Sequence, residues 1–277
     1  MEKKELNGKK KFSILGDSIS TLIGYNPPDY KVFFDEENGQ KAGVLNFKDT
    51  WWGKVIDHYN GELLVNNSWS GSRVAQLPNS DSVFPSACSR ERTGGLHIES
   101  VKGNRILPNV IIIYIGTNDW CFGTSLRADL KNGDCLKNFD SAYHHMLEQI
   151  HKNYPEAEIW CCSLMTSYMS TNRRFIFPYV PGKEHMEKYN NLIEANVIKL
   201  RKEGVLIKYL NLYGYHTPYD SIDGSHPNEK GMETIASLII REVADESVDN
   251  GKKKHKRDIF CTPIKYFLRT ISFYKKN

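Results

Sequence analysis

Long apolar runs are missing from this sequence of 277 residues. No segment approaches the about 18 apolar residues that a membrane-spanning helix requires. The apolar stretch after the charged start MEKKELNGKKK is also too short for the core of a secretory signal peptide. A composition of 40% apolar and 25% charged residues indicates instead a globular protein with a buried core. We therefore expect a cytoplasmic protein.

Metal-binding and disulfide-forming patterns are lacking as well. The six cysteines are Cys88, Cys121, Cys135, Cys161, Cys162 and Cys261. None of them forms a C-x-x-C pair, and the adjacent Cys161 and Cys162 would point to opposite faces of a strand. The nine histidines contain no H-E-x-x-H or similar ligand spacing. These absences predict free thiols in a reducing compartment, no metal and no cofactor.

Excess positive charge is absent from most of the chain, although the net charge is +4. Residues 251–277 contain seven lysines, two arginines and one aspartate, a net +8, so residues 1–250 carry −4 (+4 minus +8). An acidic body gives no reason to expect nucleic acid as a partner. The change in composition predicts one domain over 1–250 followed by a basic tail over 251–277.

The tail has an apolar stripe at helical spacing. The stripe consists of Ile264, Phe267, Leu268, Ile271 and Tyr274. Lysine and arginine occupy much of the remainder, and a basic amphipathic helix of this kind is typical of contact with an anionic membrane surface. Residues 252–277 therefore predict a peripheral membrane contact. Docking of the stripe on the protein's own body, or on a second subunit, is an equal alternative.

Alternating patterns along the chain predict the fold. Apolar runs indicate strands at 12–15, 62–65, 109–115, 157–163 and 205–212, and periodicity indicates helices at 49–59, 136–153, 184–203 and 228–245. The run NVIIIYI is apolar throughout, which is typical of a strand buried on both faces. The alternation predicts an α/β protein, a three-layer α/β/α sandwich with a mainly parallel sheet of about five strands.

Four of the predicted strands are followed by clusters of small polar residues. The clusters are Gly16 to Ser18, Asn67 to Ser72, Gly116 to Asp119, and Asp223 to Pro227. Each alone has a plain structural interpretation: the first as a turn with an N-cap, the third as caps of the next helix, the last as a turn into a helix. Beyond the ends of parallel strands, however, the four would share one edge of the sheet, where ligands of such sheets bind.

The order of these clusters resembles that of the SGNH, or GDSL-type, hydrolase family. The family carries Ser, Gly, Asn and His in four successive blocks, with Asp three residues before the His. The matching positions here are Ser18, Gly71, Asn118, Asp223 and His226. The resemblance extends over most of the chain before the tail and departs only in the first block, which reads Gly-Asp-Ser-Ile instead of Gly-Asp-Ser-Leu. It implies the flavodoxin-like SGNH fold and a serine esterase that works through an acyl-enzyme.

Elementary chemistry gives each matched residue a role. A serine hydroxyl is a weak nucleophile, so Ser18 needs a base within hydrogen-bond reach, and His226 suits proton transfer near neutral pH. Asp223 would fix the tautomer and orientation of that imidazole. The resemblance implies that the backbone N–H groups of Ser18 and Gly71, with the side-chain amide of Asn118, form the oxyanion hole. No Gly-x-Ser-x-Gly elbow of an ordinary α/β-hydrolase occurs.

Residues beside these clusters are candidates for substrate contact. Trp69 and Trp120 adjoin the oxyanion blocks, and Asp17, which we expect mainly to brace the turn, completes the candidate set. Aromatic faces suit sugar rings and also acyl chains. Trp52, in contrast, has the spacing of a residue that packs the first helix. We expect hydrolysis of a carboxylic ester, foremost a small-acyl (acetyl) ester of a carbohydrate.

Several alternatives stay open at this point. The same acyl-enzyme would serve a lipid or lysophospholipid acyl hydrolase or an acyltransferase, and a non-catalytic ligand-binding module would keep the same fold. Arg73, Arg90 and Arg92, in or beside segment 78–97, are candidates for polar substrate contacts. Segment 165–183 follows a predicted strand and is a candidate lid.

Overall fold

The centre of the protein is a sheet of five parallel strands in the order β2-β1-β5-β6-β8. The computed structural model describes residues 8–76, 86–127, 135–169 and 185–249. The sheet strands are β1 (Lys11–Gly16), β2 (Glu62–Asn66), β5 (Val110–Tyr114), β6 (Glu158–Cys162) and β8 (Ile207–Leu210). Two short pairs lie outside it: antiparallel β3 (Ile98–Glu99) with β4 (Arg105–Ile106), and parallel β7 (Ser167–Met169) with β9 (Tyr219–Ser221).

Helices cover both faces of the sheet. The α-helices of the described ranges are α1 (Glu36–Ala42), α2 (Trp51–His58), α3 (Arg90–Gly94), α4 (Thr117–Phe122), α5 (Phe139–Asn153), α6 (Met186–Lys202) and α7 (Glu229–Asp249). Side chains of α5 and α6 form one apolar core with one face of the sheet, and side chains of α2 and α7 form a second core with the other face. The arrangement is a three-layer α/β/α sandwich.

Consecutive side chains of the central strands alternate between the two cores. In β5, Ile111 and Ile113 belong to the core with α5 and α6, whereas Ile112 belongs to the core with α2 and α7. Cys161 and Cys162 of β6 divide in the same way, as their adjacency predicted, and both are free thiols. Burial on both faces is the reason why β5 is apolar at every position.

Local capping signals begin two of the predicted helices. Thr50 caps α2, because its hydroxyl accepts a hydrogen bond from the N–H of Gly53 at 2.9 Å. Asn138 caps α5 in the same way through the N–H of Ser141. Such caps satisfy first-turn donors that have no partner within the helix. Trp52 of α2 is fully buried, in agreement with its predicted packing role.

All five predicted strands and all four predicted helices are present, with bounds that differ by a few residues. The structure adds α1, α3 and α4, which are seven, five and six residues long. Helices this short do not fill the window of about 11–18 residues over which periodicity is recognised.

Three of the segments named from the sequence are covered only in part or not at all by the structure. The tail over 251–277 lies outside the described residues, as do residues 78–85 of segment 78–97 and residues 170–183 of the candidate lid. Within the ranges that the structure describes, no helix is both long and apolar enough to cross a membrane.

Candidate active site

The turn after β1 brings Ser18 to the carboxyl edge of the sheet. β1 ends at Gly16 and leads directly into a 3-10 turn over Ser18–Ser20. The Asp17 side chain caps this turn, because its Oδ1 accepts a hydrogen bond from the N–H of Ile19 at 3.0 Å. Ser18 is 8% exposed, so it is sheltered but still reached by solvent.

Ser18, His226 and Asp223 form a continuous hydrogen-bonded chain. His226 Nε2 lies 2.9 Å from Ser18 Oγ, and His226 Nδ1 lies 2.6 Å from Asp223 Oδ2. With a carboxylate on Nδ1, the imidazole carries its proton there and presents Nε2 as an acceptor to the hydroxyl. Ser18 and His226 are 208 positions apart in sequence, so the tertiary fold alone joins them.

Asp223 is held by its own loop as well as by the imidazole. Its Oδ1 accepts hydrogen bonds from the backbone N–H groups of Ser225 at 2.9 Å and His226 at 2.8 Å. Burial alone would raise the pKa of Asp223, but the hydrogen bonds and charge of His226, together with these backbone donors, outweigh it and lower that pKa. The carboxylate is therefore ionised at neutral pH and fixed in direction.

The segment after β2 carries Gly71 and adjoins Asn118. The N–H of Trp69 donates to the carbonyl of Gly16 at 3.2 Å, which fastens the segment to the end of β1. Gly71 has φ +85°, in the left-handed region that favours glycine, and the structure describes no atom within 4 Å of where a Cβ would stand. The Asn118 amide donates to the carbonyl of Ser72 at 2.9 Å. Because Nδ2 carries two hydrogens, one remains for a ligand.

Asp119 fixes the same segment from the other side. Its two carboxylate oxygens accept hydrogen bonds from the N–H groups of Val74 at 2.7 Å and Ala75 at 3.1 Å. Burial raises the pKa of Asp119 to about 6 against the opposing effect of these donors. The alternative that Asn118 and Asp119 cap the next helix is wrong, because both side chains instead bond to residues 72–75, and Gly116 is the N-cap of α4.

A buried arginine, Arg92, connects three parts of this edge. Its guanidinium donates to Ser72 Oγ at 2.9 Å and to the carbonyls of Gly16 at 3.2 Å and Asn67 at 2.8 Å. Burial lowers its pKa to about 10, so it keeps its charge at neutral pH. Arg92 is 0% exposed. The prediction that Arg92 contacts substrate is therefore wrong. Its buried guanidinium instead holds the end of β1 and the segment after β2 together.

Asp17 and Trp120, both predicted to contact substrate, are buried instead. Asp17 is 1% exposed and serves as the brace of the Ser18 turn. Burial raises its pKa to about 7, and in the described part of the chain its Oδ2 has no hydrogen-bond partner. Trp120 is 0% exposed and belongs to the core formed with α5 and α6. Neither side chain can reach a substrate in this arrangement, which corrects both predictions.

The aromatic residues that do lie near the site come from the loop between β1 and β2 and from the segment that follows β2. Trp69 is half-buried, and its ring lies 4.1 Å from that of Tyr30 between centroids. Phe33 lies flat against the imidazole of His226. The sequence indicates Tyr30 and Phe33 only as members of an aromatic-rich stretch between β1 and β2 that suits a pocket mouth, and it does not predict the contact of Phe33 with His226. Within the described ranges, no three metal-ligating side chains cluster.

The sequence matches a known protein family over more than half of its length. The family model for GDSL-like lipases and acylhydrolases matches residues 10–174. The chain belongs to this family. The resemblance drawn from the sequence is thus confirmed, and the class of enzyme is one that hydrolyses esters.

Three relatives of this GDSL-like chain illustrate the match. A 59-residue stretch is 36% identical to the cellulase/esterase CelE of Acetivibrio thermocellus and spans 21% of the chain but only 6% of CelE. A protein of Bacteroides ovatus classed as a GDSL-like lipase is 26% identical, with a TM-score of 0.62 over 86% of this chain and 99% of that one. A family two carbohydrate esterase of Clostridium thermocellum, solved with cellohexaose, shares the fold at 18% identity, with a TM-score of 0.54 over 86% and 65% of the two chains. These folds confirm the predicted fold class.

Proposed function

We propose that this chain is a serine esterase in which Ser18 is the nucleophile, His226 the general base and Asp223 the residue that orients the base. The observation that carries the proposal is the hydrogen-bonded chain from Asp223 through His226 to Ser18, at 2.6 Å and 2.9 Å. A hydroxyl with a base at this distance is the arrangement that nucleophilic catalysis requires. Membership of the GDSL-like lipase and acylhydrolase family, whose enzymes cleave esters, supports the same proposal.

Acylation is the first half of the proposed reaction. Ser18 Oγ attacks the carbonyl carbon of the ester while its proton passes to His226 Nε2. Negative charge develops on the carbonyl oxygen, and the backbone N–H groups of Ser18 and Gly71 with the amide of Asn118 are the proposed donors to it. Collapse of this intermediate breaks the bond to the alcohol, which takes the proton from His226. Ser18 is left as an acyl ester.

Deacylation reverses these roles. Water gives a proton to His226 Nε2 as its oxygen attacks the acyl carbon, and the same donors hold the second intermediate. The proton returns to Ser18 Oγ as the acid leaves, so the enzyme is regenerated. Asp223 stays ionised throughout and stabilises the transient imidazolium. A bound alcohol in place of water would give acyl transfer, which is the alternative that the shared intermediate keeps open.

We further propose a small-acyl ester of a carbohydrate as the substrate. A groove of about 830 Å³ borders Asp223 but not Ser18 or Asn118, and its lining includes the polar side chains of Asn38, Lys41 and Asn228 beside the apolar Phe33 and Ile222. The polar groups suit the hydroxyls of a sugar better than they suit an acyl chain. The paired rings of Tyr30 and Trp69 offer a flat apolar surface. The carbohydrate esterase that shares the fold is consistent with this choice.

The nucleophile is tested by intact-mass spectrometry after treatment with a fluorophosphonate. We expect one adduct on the wild-type protein and none on Ser18→Ala, because only an activated serine attacks the reagent readily. Turnover should disappear in the same variant. An adduct that persists in Ser18→Ala would place the reactive group elsewhere, and a folded wild type that forms none would favour the non-catalytic binding module.

The substrate class is tested with p-nitrophenyl esters of increasing chain length and with acetylated oligosaccharides. We expect the acetyl ester to be hydrolysed with the highest kcat/KM and free acetate to appear from the acetylated sugar. Preference for long acyl chains would instead support the lipid acyl hydrolase, and ester formation with an added sugar alcohol would support the acyltransferase.

A further inference from the structure

One face of the His226 imidazole is covered by an aromatic ring. The ring of Phe33 lies parallel to the imidazole, with 3.3 Å between centroids and 9° between planes. The two ring nitrogens are already engaged by Asp223 and Ser18. The imidazole is thus held at both edges and on one face, and Phe33 supplies the contact that the three triad residues cannot supply themselves.

The backbone of Phe33 is tied to the Ser18 turn through a buried threonine. The Thr21 hydroxyl donates to the carbonyl of Ser18 at 3.0 Å and accepts from the N–H of Phe33 at 2.8 Å. Thr21 is 0% exposed, so water competes little for these bonds. One hydroxyl therefore connects the residue that attacks the substrate to the residue that covers its base.

The neighbour of Phe33 anchors the loop in the core. Phe34 is 0% exposed, belongs to the core with α2 and α7, and packs edge-on against Phe33 at 5.1 Å. The carbonyl of Phe34 also accepts from the N–H of Ile23 at 3.0 Å. Backbone bonds on both sides and a buried anchor fix where the Phe33 ring can lie. The fold therefore holds the Phe33 ring against His226.

Resting on the function proposed above, we propose that Phe33 is a positioning residue for His226. Its ring limits rotation of the imidazole, which would otherwise swing Nε2 out of line with Ser18 Oγ. A flat face also accommodates the imidazolium that forms in each half-reaction, because a π face attracts a cation. Phe33 also lines the groove beside Asp223, but p-nitrophenyl acetate has no sugar to occupy that groove. With this substrate, loss of Phe33 should therefore lower kcat more than it raises KM.

Three substitutions at this position separate flatness from bulk. Phe33→Tyr keeps a flat aromatic ring, Phe33→Leu keeps an apolar side chain without a flat face, and Phe33→Ala removes the contact. Phe47→Ala is the matched control, since Phe47 is half-buried like Phe33 but packs against Tyr25 and Trp52. All variants are assayed with p-nitrophenyl acetate, and their melting temperatures are compared.

We expect Phe33→Ala to lower kcat by about 10- to 100-fold, with KM within about twofold, because a small misplacement of a reacting group costs that much. Phe33→Tyr should stay near the wild-type kcat, and Phe33→Leu should resemble Phe33→Ala. In proton NMR spectra, the low-field resonance of the proton between His226 and Asp223 should broaden in Phe33→Ala through faster exchange with water. Phe47→Ala should keep both the resonance and kcat.

Equal kcat values for wild type and Phe33→Ala, or a Phe33→Leu enzyme as fast as wild type, would overturn the positioning role. The fluorophosphonate experiment on the wild type keeps this result distinct from the proposed function. If the wild type is labelled at Ser18 and Phe33→Ala is as fast as wild type, the inference about Phe33 fails alone. If the wild type is not labelled, the proposed function fails first.

Discussion

At the scale of single residues, the amide of Asn118 is held in one direction by the protein backbone. One amide hydrogen is engaged by the carbonyl of Ser72, which fixes the direction of the other. We expect Asn118→Ala to lower kcat by about a hundredfold or more, because removal of one oxyanion donor costs about 3 kcal/mol of barrier. Steady-state kinetics on p-nitrophenyl acetate measure this. A loss below fivefold would exclude Asn118 as a donor to the oxyanion.

The matched control for that variant is Asn153→Ala. The Asn153 amide also donates to a backbone carbonyl, that of Thr93, at 3.3 Å, but it lies at the end of α5. We expect its kcat to equal that of the wild type. Comparison of the two variants separates the loss of a donor from the general loss of a side-chain-to-backbone bond.

The buried carboxyl of Asp17 should make stability depend on pH. Burial raises its pKa to about 7 from an ordinary 3.8. Below about pH 4 both folded and unfolded chains hold this proton, so its contribution is fully present. Between pH 4 and 7 the unfolded chain loses the proton first, so stability falls as pH rises. The raised pKa of Asp119, about 6, acts in the same direction.

We expect the melting temperature to decline less from pH 5 to pH 8 in Asp17→Asn than in the wild type. The part of this rise between pH 5 and about 7 corresponds to about 3 kcal/mol, or on the order of 5–10 °C in Tm for a chain of this size. Asp29→Asn, at an exposed position, should follow the wild type. Parallel pH curves for Asp17→Asn and wild type would show that this carboxyl does not set the dependence.

At the scale of elements, the start of α7 is pressed against the strand that precedes the His226 loop. A Cβ at Gly231 would overlap the carbonyl oxygen of Asp220 in β9 and would stand 2.8 Å from Cβ of Pro227. Helix propensity alone would make Gly231→Ala stabilising by about 1 kcal/mol. Because the carbonyl is backbone and cannot turn away, we infer the opposite sign.

We expect Gly231→Ala to destabilise the protein by about 1–3 kcal/mol, the cost of overpacking. It should also lower kcat, since displacement of Asp220 moves the loop that holds Asp223 and His226. Thermal unfolding and kinetics check both effects, with Ser237→Ala on the exposed face of α7 as the control. A more stable and fully active Gly231→Ala would contradict the close approach of helix and strand.

At the scale of the whole molecule, charge is divided between an acidic body and a basic tail. Residues 1–250 carry −4 and residues 251–277 carry +8. We propose that the tail brings the enzyme to anionic membrane surfaces, since basic residues near such a surface each contribute about 1 kcal/mol of attraction. The acidic body would not bind there by itself.

We expect the full-length protein to float with phosphatidylserine-containing vesicles, to float less at high salt, and to stay behind with neutral vesicles. The truncated 1–250 protein should float with neither. Failure of both proteins to float would contradict the membrane proposal and favour docking of the tail stripe on the body or on a second subunit. Analytical ultracentrifugation would then distinguish these two alternatives, because only the second gives a dimer.

By itself the sequence determined the layers and the chemistry at their edge. The period of the apolar residues is a local property, so β5 and the helices over 139–153 and 186–202 were predictable from it. The resemblance to the GDSL-type family, carried by clusters after four predicted strands, predicted Ser18, Asn118, Asp223 and His226 as one set. Only the tertiary structure decided which polar residues face a substrate, because burial depends on what packs above a residue.

Burial decided against Trp120, Asp17 and Arg92, whose types and positions suited substrate contact but whose side chains the packed layers enclose. Packing likewise brought Phe33 onto His226, across 193 positions of sequence (226 minus 33) that no local pattern spans. Short-range periodicity thus determined the elements, whereas long-range packing decided which of their side chains support the site and which line it.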